Sequence, residues 1–165
     1  MNALAPETLF EKLNTLGIET TTVEHPPVYT VEEAKEHRGP LTGMHIKNLF
    51  LRNKKKRMWL VVAAEDSQID LKALGQTLDA GRLSFGSPQR LEQYLGVIPG
   101  AVTPFAAIND TDGEVAVVID RKVFESNPVH CHPLVNTMTT AIHGEDLLRF
   151  LKEIDHEPTI IDLPN

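Results

Sequence analysis

The stretch Gly43-Met-His-Ile-Lys-Asn-Leu-Phe-Leu-Arg52 decides how the chain is read. At a period of two, Met44, Ile46 and Phe50 fall on one face and Leu49 and Leu51 on the other, so the segment predicts a strand buried on both sides. Asn48 interrupts the first face and Lys47 the second. A lysine inside a sheet is costly unless it is paired or reaches water, which leaves two readings. Either Lys47 snorkels from a partly covered rim, or it lines a pocket as a cationic donor aimed at a carbonyl or phosphate oxygen. Simple alternation sends Asn48 to the opposite face, where it supports backbone groups. A bulge at this pair would instead bring both side chains into one cavity.

Directly after this strand, Arg52-Asn-Lys-Lys-Lys-Arg57 places five cations in six residues. With a second apolar run at 57–64, the pattern predicts a hairpin whose tip is this basic turn, either a solvated tip or a phosphate contact made by Arg52, Lys54, Lys55, Lys56 and Arg57. Further out, Leu9, Phe10, Leu13 and Leu16 recur at helical spacing and Gly17 stops that helix. A Thr-rich strand follows at 18–23, and Thr30-Val-Glu-Glu33 opens a short capping-box helix to His37. Asp70 caps a helix to Leu78, 82–85 reads as a short strand, and Ser87-Pro88 starts a helix that Gly96 ends. Phe105–Ile108 and Glu114–Ile119 read as strands joined by an Asn109–Gly113 hairpin turn. Residues 134–142 read as a strand, 145–154 as an amphipathic helix and 159–162 as a last strand. The elements mix without strict βαβ alternation, which predicts one α+β domain over 1–165: a mixed, mostly antiparallel sheet curled toward a barrel, with peripheral helices.

At 165 residues, with 41% hydrophobic and 24% charged content, the chain has the profile of one soluble globular domain. It holds no apolar run long enough to cross a bilayer and no signal-peptide pattern, so no membrane role is expected. A single cysteine, Cys131, excludes an intramolecular disulfide and fits a cytoplasmic location. The net charge of −7 argues against coating nucleic acid, but leaves room for a local contact at the basic turn.

Two further segments carry chemistry. Val129-His-Cys-His-Pro133 places His130 and His132 on one strand face, a spacing that suits a metal pair. No Cys-x-x-Cys or His-Glu-x-x-His accompanies it, and the other histidines are scattered, so the expectation is a histidine that orients water or substrate, with no metal and no cofactor. Cys131 between them reads as a small buried hydrophobe. Gly100-Ala101-Val102-Thr103-Pro104 is a glycine- and proline-bounded loop whose amides suit an oxyanion, although taken alone the pattern is better explained by a plain turn. Neither Gly-x-Ser-x-Gly nor a Walker-type loop occurs.

Taken in order, His25-Pro-Pro-Val-Tyr-Thr-Val-Glu-Glu33, Lys47-Asn-Leu-Phe-Leu51, Leu83-Ser-Phe-Gly-Ser-Pro-Gln-Arg-Leu91, Gly96-Val-Ile-Pro-Gly-Ala-Val-Thr-Pro-Phe105 and His132-Pro-Leu-Val-Asn-Thr-Met-Thr-Thr140 resemble the YbaK/ProX-type aminoacyl-tRNA editing domains. These are related to the insertion domain of bacterial prolyl-tRNA synthetases, and the resemblance covers nearly the whole chain. It is strongest to the free-standing ProX-type proteins that clear alanine from mischarged proline tRNA. The resemblance implies a barrel-like mixed sheet and hydrolysis of the ester that joins a wrong amino acid to tRNA. Lys47 then matches the essential lysine, Asn48 its neighbour, Gly100–Pro104 the Gly-x-x-x-Pro loop and His130 a pocket histidine, with Asn136–Thr140 as pocket lining. Mischarged tRNA(Pro) is the implied partner, with prolyl-tRNA synthetase as a further one, acting on a monomer or weak homodimer. Three rivals stay open: a module that binds nucleic acid or a synthetase without turnover, a metallohydrolase on His130 and His132, and editing of cysteine or serine.

Overall fold

The structure is a computed structural model and describes residues 4–27 and 42–163. Its organising element is the antiparallel pair β2 (Met44–Arg52) and β3 (Met58–Ala64), in continuous register from Ile46↔Ala64 to Arg52↔Met58. No residue slips between them, so the two faces of β2 stay distinct along its whole length. The remaining strands are β1 (Thr20–Glu24), β4 (Ser84–Phe85), β5 (Val115–Asp120), β6 (Val129–Cys131), β7 (Met138–Ile142) and β8 (Thr159–Ile161). They form one mixed sheet in the order β1-β7-β6-β2-β3-β5-β8, with β4 added to β2. The β1–β7, β7–β6, β2–β3 and β2–β4 pairs are antiparallel; β2–β6, β3–β5 and β5–β8 are parallel. The sheet is open rather than a closed barrel, with β1 and β8 as its end strands.

Each face has its own core. Met44, Ile46 and Phe50 of β2 face the larger one, with Leu9 and Leu13 of helix α1 (Pro6–Thr15), Leu91 and Leu95 of α3 (Pro88–Leu95), and Leu147, Phe150 and Leu151 of α5 (Gly144–Glu153). Phe105 and Phe150 meet edge to face there at 5.4 Å. On the other side, Leu49, Leu51, Trp59, Val61 and Val118 pack under Leu74 of α2 (Leu71–Thr77), together with Leu83. The expected caps are present. Asp70 accepts from the Lys72 and Ala73 amides, Ser87 from the Arg90 amide, and Gly96 closes α3 at φ 67°. A short α4 (Arg121–Phe124), capped by Asp120, was not anticipated by the sequence. The helix expected at 30–37 lies outside the described residues.

One expectation is overturned. Pro104–Asn109 is a buried 3₁₀ helix, not a strand, and 109–113 is not a hairpin turn. Phe-Ala-Ala-Ile is an apolar run without a period, so it suits either element. Thr103 caps it by accepting from the Phe105 amide, and Asn109 ties its far end to the Leu95 carbonyl and the Leu4 amide. Asp110 then takes the Glu114 and Val115 amides and the His156 ring, turning the chain into β5, both of whose edges are claimed in parallel by β3 and β8. Strand 82–85 is shortened to Ser84–Phe85, and 134–142 to Met138–Ile142.

Asp110 is 1% exposed and serves three donors at once. Asp110→Ala is expected to lower unfolding stability by about 3 kcal/mol, because it strands those donors in the interior. A urea midpoint equal to that of the wild type would refute this account of the turn.

Candidate active site

Residues opposite each other in a strand pair leave the sheet on the same side. His45 opposes His130 across the parallel β2–β6 pair, and their rings stack at 4.5 Å and 13°. Lys47, two residues after His45, leaves β2 on that same face, as do Leu49 and Leu51. Lys47 and His130 are therefore brought together on one face. Beyond the two rings this face is polar: Thr139 opposes Val23 on β1, and its hydroxyl meets His25 Nε2 at 2.7 Å.

Lys47 is half-buried, and its ammonium donates to the carbonyl of Ser67 in the turn after β3. That bond engages one of its three N–H groups. His130 is buried, with Nε2 at 2.7 Å from the Thr42 carbonyl. A carbonyl only accepts, so Nε2 donates, and in the neutral ring Nδ1 carries the lone pair that can hold a water or an ammonium. His132 lies one residue past β6 and donates from Nδ1 to the Met138 carbonyl at 2.9 Å; its ring stands 6.2 Å from that of His25. His130 and His132 thus have separate neighbours, and among the described residues no three His, Cys, Asp or Glu side chains converge as metal ligands. Cys131 points into the larger core, where burial pushes its thiol far up and keeps it from acting as a nucleophile.

Asn48 takes the other face. With no bulge in β2, its Nδ2 donates to the Val102 carbonyl at 3.0 Å, so Asn48 holds the Gly100–Pro104 loop from behind. The loop is built from two 3₁₀ turns, Pro99–Ala101 and Pro104–Asn109. Ala101, Thr103 and Pro104 are buried, while Gly100 and Val102 are half-buried. The Ala101 amide is engaged by the Ile98 carbonyl and Pro104 has none, so neither is available to an oxyanion. Lys47 and this loop stand on opposite faces of β2, with one edge of the strand between them. There β6 pairs with Met44 and His45, and β4 with Leu51 and Arg52; among the described residues no strand covers the edge from Ile46 to Leu49. A cavity of about 180 Å³ opens at this gap, bordered by Asn48, Val102, Phe85 and Pro88.

The basic turn stands about 20 Å from Lys47, six residues along β2. Lys54, Lys55, Lys56 and Arg57 are exposed and Arg52 half-buried. Buried Asn53 shapes the turn, accepting from the Lys55 and Arg57 amides and donating to the Ala80 carbonyl. Arg57 sits over the Trp59 ring at 5.2 Å. A cleft of about 520 Å³ joins Lys55, Lys56 and Arg57 to Arg90 and Tyr94 of α3 and to Glu114. Sequence reasoning missed His45, Ser67, Asn53 and Arg90. Of these, His45 had a signal, since it shares the parity of Lys47, and an asparagine opening a turn had another.

Residues 25–150 match the aminoacyl-tRNA editing domain family. The chain is 43% identical over 155 residues to the zebrafish (Danio rerio) prolyl-tRNA synthetase associated domain-containing protein 1, covering 93% of this chain and 84% of that one. It is 40% identical over 153 residues to the prolyl-tRNA editing protein ProX of Acetoanaerobium sticklandii, covering 92% and 93%. A crystal structure of a candidate trans-editing enzyme for prolyl-tRNA synthetase superposes with a TM-score of 0.75 at 19% identity, over 98% of this chain and 99% of that one, and so shares the fold. The chain belongs to the aminoacyl-tRNA editing family. It is with that family an aminoacyl-tRNA deacylase, an enzyme of ester hydrolysis.

Burial pushes the His132 imidazole below its ordinary range, with His25 adding to the effect and the Met138 carbonyl opposing it. The unfolded chain takes up that proton at about pH 6.5 and the folded chain only at lower pH, so this histidine costs stability as pH falls below about 6.5. His132→Asn is expected to narrow the difference in Tm between about pH 7.5 and about pH 5.5. An unchanged difference would refute it.

Proposed function

We propose that this enzyme deacylates mischarged tRNA(Pro) in the cytoplasm, with alanine as the amino acid removed and prolyl-tRNA synthetase as its functional partner. The observation that carries the reading is the placement of Lys47 on the same sheet face as the stacked His45 and His130, in a chain whose relatives are named for prolyl-tRNA editing. An aminoacyl ester is already activated, so positioning a water and stabilising the oxyanion suffice. Water adds to the carbonyl, and the tetrahedral oxyanion lies against the Lys47 ammonium, with amides of the Gly100–Pro104 loop reaching it across the open edge of β2. Collapse expels the ribose oxygen, which takes a proton, releasing the amino acid and tRNA. His130 orients the water or the substrate ammonium through Nδ1. Asn48 acts through the loop, holding Val102 in place. The neighbouring ribose hydroxyl assists in activating the water. Selectivity comes from exclusion: a small pocket admits alanine and rejects proline, where attraction per methylene is worth only about 1–3 kcal/mol. The basic turn meets tRNA phosphates, a local contact on an acidic protein.

Wild-type protein is expected to deacylate alanyl-tRNA(Pro) and spare prolyl-tRNA(Pro), and Lys47→Ala to lower kcat by about 100-fold or more. Undiminished turnover in Lys47→Ala removes the proposed role of that residue. A panel of tRNA(Pro) charged with alanine, cysteine or serine tests the substrate, and faster hydrolysis of cysteine or serine overturns the alanine assignment. Neutralising Lys54, Lys55 and Lys56 together is expected to raise KM and flatten its dependence on salt. A KM that keeps its value and its salt slope rules out phosphate contacts at the turn.

A further inference from the structure

Phe85 is the most exposed large hydrophobic side chain among the described residues, at 63%. It sits on β4, a strand of only two residues, opposite Leu51 of β2. Its backbone is nonetheless firmly placed. The Gly86 amide donates to the Phe50 carbonyl at 2.9 Å, and Gly86 lies so close to the Phe50 ring that a Cβ there would stand 2.5 Å from it. A single exposed hydrophobe needs no explanation by itself. This one borders the 180 Å³ cavity at the open edge of β2, facing Pro88 and Val102. In that cavity wall the Asn48 carbonyl oxygen is buried without a hydrogen-bond partner among the described residues. The amide cannot be turned round to relieve it, because the Val102 carbonyl requires the nitrogen. An apolar wall beside an exposed ring suits a flat aromatic ligand.

Resting on the editing reading above, we propose that Phe85 is the stacking platform for the unpaired base of the 3′-terminal nucleoside of the substrate RNA. By register, Phe85 leaves β4 on the same side as Leu51, and so on the Lys47 side of the sheet. Four residues along β2 and one strand across put its backbone about 14 Å from that of Lys47. A lysine side chain from one end and one nucleoside from the other fill that span, with the ester between them. Stacking on an aromatic ring tolerates any base, so the platform needs no particular sequence at that nucleotide.

A double-mutant cycle tests the proposal. Binding of an acceptor-stem RNA hairpin ending in CCA is compared with binding of the same hairpin carrying an abasic ribose at its last nucleotide, for wild type, Phe85→Ala and Phe85→Tyr. Removing the base is expected to weaken wild type and Phe85→Tyr by about ten-fold and to leave Phe85→Ala almost unchanged. Equal loss in wild type and Phe85→Ala overturns the platform. So does a wild type that binds both hairpins alike. If wild type dimerises through this surface and Phe85→Ala is monomeric with unaltered RNA binding, the ring is a contact between copies and the proposal falls. Deacylation of alanyl-tRNA(Pro), run in parallel, separates the two readings. Base-dependent binding without turnover keeps the platform and sinks the editing mechanism, and turnover without base-dependent coupling does the reverse.

Discussion

The unslipped pairing of β2 with β3 is the constraint from which the rest follows. Because seven consecutive residues of β2 stay in register with β3, every side chain on β2 is committed to one face. Met44, Ile46 and Phe50 anchor the larger core, Leu49 and Leu51 the smaller, and the two polar residues between them are sent apart. A shift of one residue would exchange the cores and bury Lys47 among α1, α3 and α5, at a desolvation cost that no described carbonyl there offsets. β2 also carries three neighbours on its two edges, and the stretch they leave open is where the polar side chains stand.

That arrangement divides labour between the faces. The ammonium of Lys47 and the stacked rings of His45 and His130 face one side. Asn48 works on the other, tying the strand to a loop some fifty residues later in the chain. A carboxamide suits this post better than a charged group would, because it bonds a carbonyl inside an apolar layer without carrying a net charge there. The price is one carbonyl oxygen with no described partner at the wall of the edge cavity.

Much of this was legible where the cause is local. Ser87, Pro88 and Gly96 delimit α3 with chemistry contained in ten residues, and alternation alone separates Lys47 from Asn48. It failed where the cause is distant. Nothing within Phe105–Ile108 says that Asp110 will be claimed by His156 from the far end of the chain, or that β5 will lie parallel to β3. The same limit hid the smaller members of the site. His45 becomes meaningful only when β6 delivers His130 beside it, and Ser67 only when the turn after β3 folds back to meet the lysine. Residue type marked which groups were costly, and the tertiary pairing decided which of them met.

The basic turn shapes the charge of the molecule as a whole. Setting its five cations aside from the net charge of −7 leaves −12 for the rest of the chain. Asn53 shapes that turn through neutral bonds. The molecule is therefore electrically lopsided, repelling a polyanion over most of its surface and attracting it at one end of β2. An approaching RNA is turned before contact, and unproductive orientations are discouraged at a distance set by the ionic strength. For an enzyme that must find rare mischarged molecules among many correct ones, such orientation shortens each futile encounter as well as hastening the useful ones.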